Sequence, residues 1–497
     1  MAAARVYLAV DIGASSGRVV AGLFNGTQLE LREIHRFPNG PVHVVGRLYW
    51  DLFELWAQIQ NGLRLAAEQY GPQIRSVGVD TWGVDFGLLG KDDELLGMPR
   101  HYRDPRTQGA MDQAFRVVPR REIFQATGLQ FMELNTLYQL LAMQREGSPL
   151  LPQAESFLMM PDLFHWLMTG IKTNEFTNAT TTQFLDPQTG DWARDLLTRF
   201  NLPTHMLGPV TPPGTNLGKL REEVAAATGL SRVDVILPGT HDTASAVLAV
   251  PSSGSPSKKP AWCYISSGTW SLMGAEIPEP VINDACQQLN FTNEGGVGHT
   301  IRLLKNIAGL WLVQECRRIW SQQGRDYNWT GLTQLAAAEP PLLSIVDPDD
   351  PTFVAPRDMP QTIRDFCHRT SQVVPDSDGA VIRCVSESLA LRYRLVLQWL
   401  EQLTGGQIQT IHIVGGGTQN RQLCQMAADA CARPVVAGPV EATAIGNLMM
   451  QAIAAGDVES IEAARDIVRR SFDVQRYEPR NCWLWDEPFA RLQSFLQ

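Results

Sequence analysis

Eight cysteines are scattered along this chain, and no two of them form a C-x-x-C pair. That absence removes the zinc-site and thioredoxin-like readings. Cys424 and Cys431 are spaced two helical turns apart, which is about 10 Å at a 1.5 Å rise per residue. A disulfide needs roughly 4.4–6.8 Å between Cα atoms, so one helix cannot bridge them. Reduced thiols, and with them a cytoplasmic location, are the expectation. The phosphate-binding pattern G-x-x-x-x-G-K-[ST] is missing, as are G-x-G-x-x-G and H-E-x-x-H. A P-loop ATPase, a dinucleotide-binding unit and a zinc protease are thereby set aside. There is no excess of positive charge: 42 Lys and Arg stand against 52 Asp and Glu, a net −10. Such a balance carries no footprint for nucleic acid or for an anionic membrane surface. No apolar run approaches the ~20 residues of a membrane span. Met1-Ala2-Ala3-Ala4-Arg5 leads straight into an apolar strand, without the basic and apolar regions of a secretion signal.

What is present is ample core material: 44% of the 497 residues are hydrophobic and 19% charged. At ~100–200 residues per domain, two to four domains are expected. Two segments far apart look alike. Val6–Gly13 with Ala14-Ser15-Ser16-Gly17-Arg18, and Tyr264–Ser271 containing Ser266-Ser267-Gly268-Thr269, are each an apolar strand, a Gly/Ser turn and a second strand. Small residues let backbone N–H groups approach an anion closely, and hydroxyls add donors. One such hairpin opening each half implies a duplicated ATPase-type α/β domain that handles phosphate.

The patterns that follow each hairpin also repeat. Arg18–Phe24 and Leu29–Phe37 read as strands joined at Asn25-Gly26, a hairpin signal. Asp51–Tyr70 carries a helical apolar face through Leu52, Leu55, Trp56, Ile59, Leu63 and Ala66, and Ile74–Val79 is again a strand. In the second half a long helix is expected over Glu387–Leu403, a strand over Ile408–Val414, and helices over Asn420–Ala432 and Ala442–Ala455. Pro251–Pro260 is too rich in Pro, Gly and Ser for core. It divides the chain into an N-terminal domain (1–250), a linker (251–260) and a C-terminal domain (261–497). Trp329–Pro360 reads as loop-rich surface, and Leu304–Gln314 as a helix with polar edges.

Few residues could carry the chemistry. Asp11 ends an apolar strand and is read as holding Mg²⁺, directly or through water, since that ion favours one or two carboxylates and several waters; the lesser alternative is a turn cap. Arg18 could meet a phosphate oxygen or stand solvated. Asp242 in Thr240-His241-Asp242-Thr243 follows a strand and suits a catalytic base, which orients a hydroxyl and takes its proton late. The position also suits an N-cap of the apolar segment Ala244–Val250. Gly415-Gly416-Gly417 would let backbone lie against a nucleotide, although strand–helix turns use glycine for steric reasons as well.

Five segments together resemble one family: Asp11–Arg18, Asp80-Thr81-Trp82-Gly83-Val84-Asp85-Phe86, Gly239–Val247, Ser266–Gly274 and Val414–Gly417. They are similar to the L-rhamnulose kinase branch of the FGGY carbohydrate kinases, and the likeness spans almost the whole chain. The resemblance implies two duplicated actin/hexokinase-like ATPase domains of ribonuclease-H-like topology, with an active site in the interdomain cleft. It implies transfer of the ATP γ-phosphoryl to O1 of L-rhamnulose, with Mg²⁺ at Asp11. By match to the family's motifs, Asp242 is the proton acceptor, and Gly83, His241, Thr243 and Asn306 join it at the sugar. Ala14, Ser15, Ser16, Gly17, Arg18, Thr269, Gln314 and Gly416 would contact ATP. A ketose and ATP are then the partners, without nucleic acid or membrane. Other readings are a kinase for L-fuculose, L-xylulose or another ketose, and an actin- or chaperone-like ATPase with no sugar. Ser252–Pro260 is longer than the family's usual linker, and Gly298-His299-Thr300 beside the substrate segment bears on sugar preference.

Overall fold

From Val6 to Ile12 every residue of the strand Arg5–Ile12 is buried, as befits a strand covered on both faces. The computed structural model describes residues 5–354 and 356–496; the reading of Met1–Ala4 lies outside them. Arg5–Ile12 is central to a six-stranded sheet, ordered Asn216–Lys219, Asp234–Ile236, Ile74–Thr81, Arg5–Ile12, Ser16–Phe24 and Leu29–Pro38. It runs antiparallel to Ser16–Phe24 and parallel to Ile74–Thr81. The hairpin at Asn25-Gly26 forms: Gly26 takes φ 96°, and Asn25 Oδ1 accepts from the backbone N–H groups of Thr27 and Gln28. Asp51 caps the helix Leu52–Tyr70 by accepting from Glu54 N–H at 3.1 Å. Leu52, Leu55, Ile59, Leu63 and Ala66 of that helix are buried.

The chain forms two compact units. The second repeats the core arrangement of the first. Trp262–Ser267 is antiparallel to Trp270–Ile277 and parallel to Thr410–Val414, with Val435–Ala437 and Gln475–Tyr477 beyond. The helix Asp378–Thr404 is longer than its apolar pattern predicts, because Ser377 caps it by accepting from Ala380 N–H.

The units do not follow the linear division 1–250, 251–260 and 261–497. The first holds Met1–Ser257, Glu276–Leu303 and Ala442–Phe472; the second holds Lys258–Ala275, Leu304–Glu441 and Asp473–Gln497. Both returning segments are fixed to the first unit by buried polar contacts. Asn293 donates to the Gly128 carbonyl at 2.9 Å. On the helix Ala442–Ala454, Gln451 donates to the Leu8 carbonyl at 2.9 Å and Asn447 to Asp80 at 2.6 Å. Gly446 of that helix rides against the helix Asp242–Leu248 so closely that a Cβ there would sit 1.7 Å from the Ser245 carbonyl oxygen.

Two local expectations are corrected. Leu304–Gln314 is not a helix: a strand, Ile301–Ala308, ends at Gly309 and a helix begins at Trp311. Gly309 makes the turn possible, since a Cβ there would lie 2.5 Å from the backbone of Trp270. Trp329–Pro360 is not all loop: Asn328 caps a helix at Trp329–Ala338, and Ile345 and Val346 are fully buried. Among the described residues, no helix is long and apolar enough to cross a membrane.

Candidate active site

The first unit gathers Asp11, Arg18, Gly83, His241, Asp242 and Thr243 at neighbouring strand ends. Asp11 is the register partner of Arg18 on one side and of Asp80 on the other. Arg18 donates to Asp11 Oδ2 from both Nε (3.0 Å) and Nη2 (2.7 Å). The residue expected to hold metal and the one expected to meet phosphate are thus an ion pair in this structure. Asp80 is fully buried, and its Oδ1 has no hydrogen-bond partner. Burial first, and the neighbouring Asp11 charge second, push its carboxyl well above the usual range.

Beyond Ile74–Thr81, the backbone of Thr81 donates to the Thr240 carbonyl at 2.9 Å, tying this strand end to the Thr240–Thr243 loop. Gly83 packs under Thr181, whose methyl would lie 2.9 Å from a Cβ at position 83. Asp85 anchors the same turn from below. Its carboxylate accepts from the Trp50 and Trp82 indoles (2.6 and 3.0 Å), Tyr102 N–H (3.1 Å) and Gln139 (2.8 Å). Burial nevertheless pushes the Asp85 carboxyl up to about 6.

The Thr240–Thr243 loop has its own brace. Buried Glu175 accepts from Thr240 N–H at 3.0 Å and Thr240 Oγ1 at 2.7 Å, while Thr177 Oγ1 accepts from His241 N–H at 3.2 Å. The helix begins at Asp242 with His241 in the cap position, so Asp242 is not the N-cap of Ala244–Val250. Its Oδ1 accepts from Thr243 Oγ1 at 3.0 Å and lies 3.5 Å from His241 Nε2. The side chain keeps 32% of its surface exposed, so the carboxylate is accessible as well as held. Desolvation raises its pKa; His241 opposes that and Asp11 adds to it.

In the turn Gly13–Ser16, Gly13 N–H donates to the Ser16 carbonyl at 2.9 Å, and Asn39 Nδ2 donates to the Gly13 carbonyl at 2.8 Å. Ala14 and Ser16 are half-buried and Ser15 is exposed. Gly17 is buried, and a Cβ there would meet the Phe37 ring at 2.2 Å. Packing alone therefore demands glycine at 17.

The second unit brings together Thr269, Gln314 and the glycine run. The Thr269 carbonyl accepts from Trp311 N–H at 3.0 Å, at the start of the helix bearing Gln314. Gly415 and Gly417 press on Ser267, where Cβ atoms would meet it at 3.0 and 2.0 Å. Gly416 is exposed, and a Cβ there meets nothing within 4 Å. Two of the three glycines thus serve packing, and Gly416 alone faces open space. Asn306 stands half-buried on Ile301–Ala308 of the same unit.

Local sequence gives Glu175, Glu294 and Arg302 no role, yet each contacts the Thr240–Thr243 loop. The available signal is a lone charge within buried or apolar sequence, as in Ile301-Arg302-Leu303-Leu304. Among the described residues, no three His, Cys, Asp or Glu side chains form a ready-made metal cage. The donors that exist are the carboxylates of Asp11 and its partner Asp80, with one orphaned oxygen, a set that fits a hydrated Mg²⁺ better than a fully protein-ligated ion.

Family models cover both halves of the chain: the N-terminal domain of the FGGY family of carbohydrate kinases matches residues 6–249, and its C-terminal domain residues 263–455. The chain belongs to the FGGY family of carbohydrate kinases. Within this family it is 44% identical to the rhamnulokinase of Bacteroides thetaiotaomicron over 488 residues, covering 98% of this chain and 99% of that one. It is 39% identical to the rhamnulokinase of Bacillus subtilis over 492 residues, covering 99% and 98%. The fold matches gluconate kinase from Lactobacillus acidophilus with a TM-score of 0.80 at 16% identity, over 99% of this chain and 98% of that one. It matches Plasmodium falciparum glycerol kinase with ADP at 0.77 and 12%, over the same shares. This FGGY kinase accordingly has the family's two-domain α/β architecture.

Proposed function

We propose that this FGGY kinase transfers the γ-phosphoryl group of ATP to O1 of L-rhamnulose, giving L-rhamnulose 1-phosphate and ADP in the cytoplasm during L-rhamnose breakdown. What carries the reading is the Thr240–Thr243 loop: an accessible carboxylate at Asp242, beside a histidine whose backbone and ring are both anchored by buried residues. Full-length identity of 39–44% to two rhamnulokinases supports the choice of sugar.

In this reading Asp242 accepts the proton of the O1 hydroxyl as O1 attacks the γ-phosphorus, and the bond to the ADP oxygen breaks. Transfer of this kind relies on positioning and charge neutralisation more than on a strong base. Gly83, His241, Thr243 and Asn306 orient the ketose. Ala14 to Arg18, Thr269, Gln314 and Gly416 bind ATP. Asp11, backed by Asp80, is the residue to hold Mg²⁺, which when bound neutralises phosphate charge. The Asp11–Arg18 ion pair then brings a cation and a carboxylate to the phosphates together.

A coupled ADP-release assay over a ketose panel tests the assignment. L-rhamnulose should give the highest kcat/KM. Faster turnover of L-fuculose or L-xylulose would move the assignment to that sugar.

A further inference from the structure

The buried pair that anchors the His241 ring also bears on which ring nitrogen carries the proton. Arg302 is fully buried. Its Nη2 is 3.0 Å from His241 Nδ1 and 3.2 Å from Glu294 Oε2, and its Nε donates to the Gly295 carbonyl at 2.8 Å. Glu294 Oε2 lies 3.3 Å from the same Nδ1. A guanidinium has only donors to offer. The contact between Nη2 and Nδ1 is therefore a hydrogen bond only when Nδ1 accepts. Glu294 Oε2, 3.2 Å from Nη2, is the guanidinium's counter-charge, and with Nδ1 accepting, the ring's own N–H falls on Nε2, the nitrogen that lies 3.5 Å from Asp242 Oδ1.

The assignment matters for a substrate hydroxyl. A hydroxyl that gives its proton to Asp242 has only lone pairs left for a neighbour. An N–H at Nε2 can meet those lone pairs; a bare nitrogen cannot. In a neutral imidazole, the bond made by one nitrogen sets the state of the other.

We propose that Arg302 is a positioning residue that holds His241 in the tautomer with its N–H on Nε2, and that Glu294 anchors the guanidinium in place. The claim rests on the sugar-kinase reading for its purpose, but not for its geometry. Without Arg302, the Glu294 carboxylate 3.3 Å from Nδ1 would draw a proton there. His241 would then turn a bare Nε2, rather than an N–H, toward the reacting hydroxyl.

The test is a pair of readouts on the full chain. The first is a two-bond ¹⁵N–¹H spectrum of protein labelled in histidine, with the His241 signal identified by its loss in His241→Asn. The wild type should show an accepting Nδ1 and a protonated Nε2, and Arg302→Lys should retain this. Arg302→Met should show a proton at Nδ1. The second readout is steady-state kinetics. For Arg302→Met, kcat/KM for L-rhamnulose should fall by about tenfold or more, the scale on which removing an orienting partner acts, while KM for ATP stays within about twofold of wild type. A merely structural role would move both substrates together. A wild-type spectrum with the proton on Nδ1 overturns the proposal; so does an Arg302→Met variant with unchanged tautomer and unchanged sugar kinetics. The wild-type spectrum needs no variant, sugar or ATP, so it decides the tautomer even where Arg302→Met does not fold. Failure of the wild type to turn over any ketose would count against the kinase reading instead.

Discussion

Asp242 is held by Thr243 yet open to a reacting hydroxyl, and that combination is what a proton acceptor requires. Asp242→Asn keeps the side chain's size but cannot take the proton. Its kcat should fall by ~10² or more, while ATP binding followed by calorimetry remains near wild type. Because burial raises the Asp242 carboxyl above its usual range, the ionised base is lost at a higher pH than for an exposed aspartate. The acid limb of kcat/KM should be displaced upward accordingly, and a profile flat down to the ordinary carboxylate range would remove Asp242 from this role. Asp85 gives a separate test in stability. Its folded pKa of about 6 is raised, so its contribution is complete below the unfolded value of ~3.9 and is lost as pH rises through about 6. The melting temperature of wild type relative to Asp85→Asn should fall between pH 4 and pH 6.5. No change in that difference would mean Asp85 does not titrate there. Of these residues, the Thr240–Thr243 motif was legible as a polar turn at a strand end, but position left Asp242 open between base and helix cap, and only the family resemblance pointed to Asp242 and His241 for the sugar. Glu294 and Arg302 were not assigned roles, because their meaning lies in contacts with residue 241, some 53 and 61 positions away.

At the scale of elements, strands and hairpins were the most legible features. Apolar runs, a helical apolar face and an Asn-Gly turn are local signals, and Arg5–Ile12, Ser16–Phe24 and Leu52–Tyr70 form where those patterns lie. Leu304–Gln314 misled because its apolar residues fit both periods, and the glycine that separates strand from helix is explained only by the backbone of Trp270 against it. The glycines near the site also carry reasons that composition cannot tell apart. Gly446→Ala should force apart the helices Ala442–Ala454 and Asp242–Leu248. Overpacking costs about 1–3 kcal/mol, and kcat should drop as well because Asp242 opens the second of those helices. A variant with unchanged melting temperature and turnover would show that the contact relaxes freely. Gly416→Ala is the opposite case. Space is open there, so stability should hold while KM for ATP rises; a loss of stability would assign Gly416 to packing with its two neighbours.

For the whole molecule, the duplicated core was readable from two similar hairpins, whereas the membership of Glu276–Leu303 and Ala442–Phe472 was not. Asn293, Asn447 and Gln451 tie those segments to the first unit through partners 165, 367 and 443 positions away. The functional account rests on both units serving one reaction, in which ATP is consumed only when a ketose accepts the phosphoryl group. ADP release measured with and without L-rhamnulose, alongside L-fuculose and L-xylulose, tests this most directly. The account predicts that L-rhamnulose raises ADP release far above basal hydrolysis, that the sugar is phosphorylated at O1, and that Asp242→Asn abolishes the stimulation. ATP hydrolysis indifferent to every ketose would contradict it.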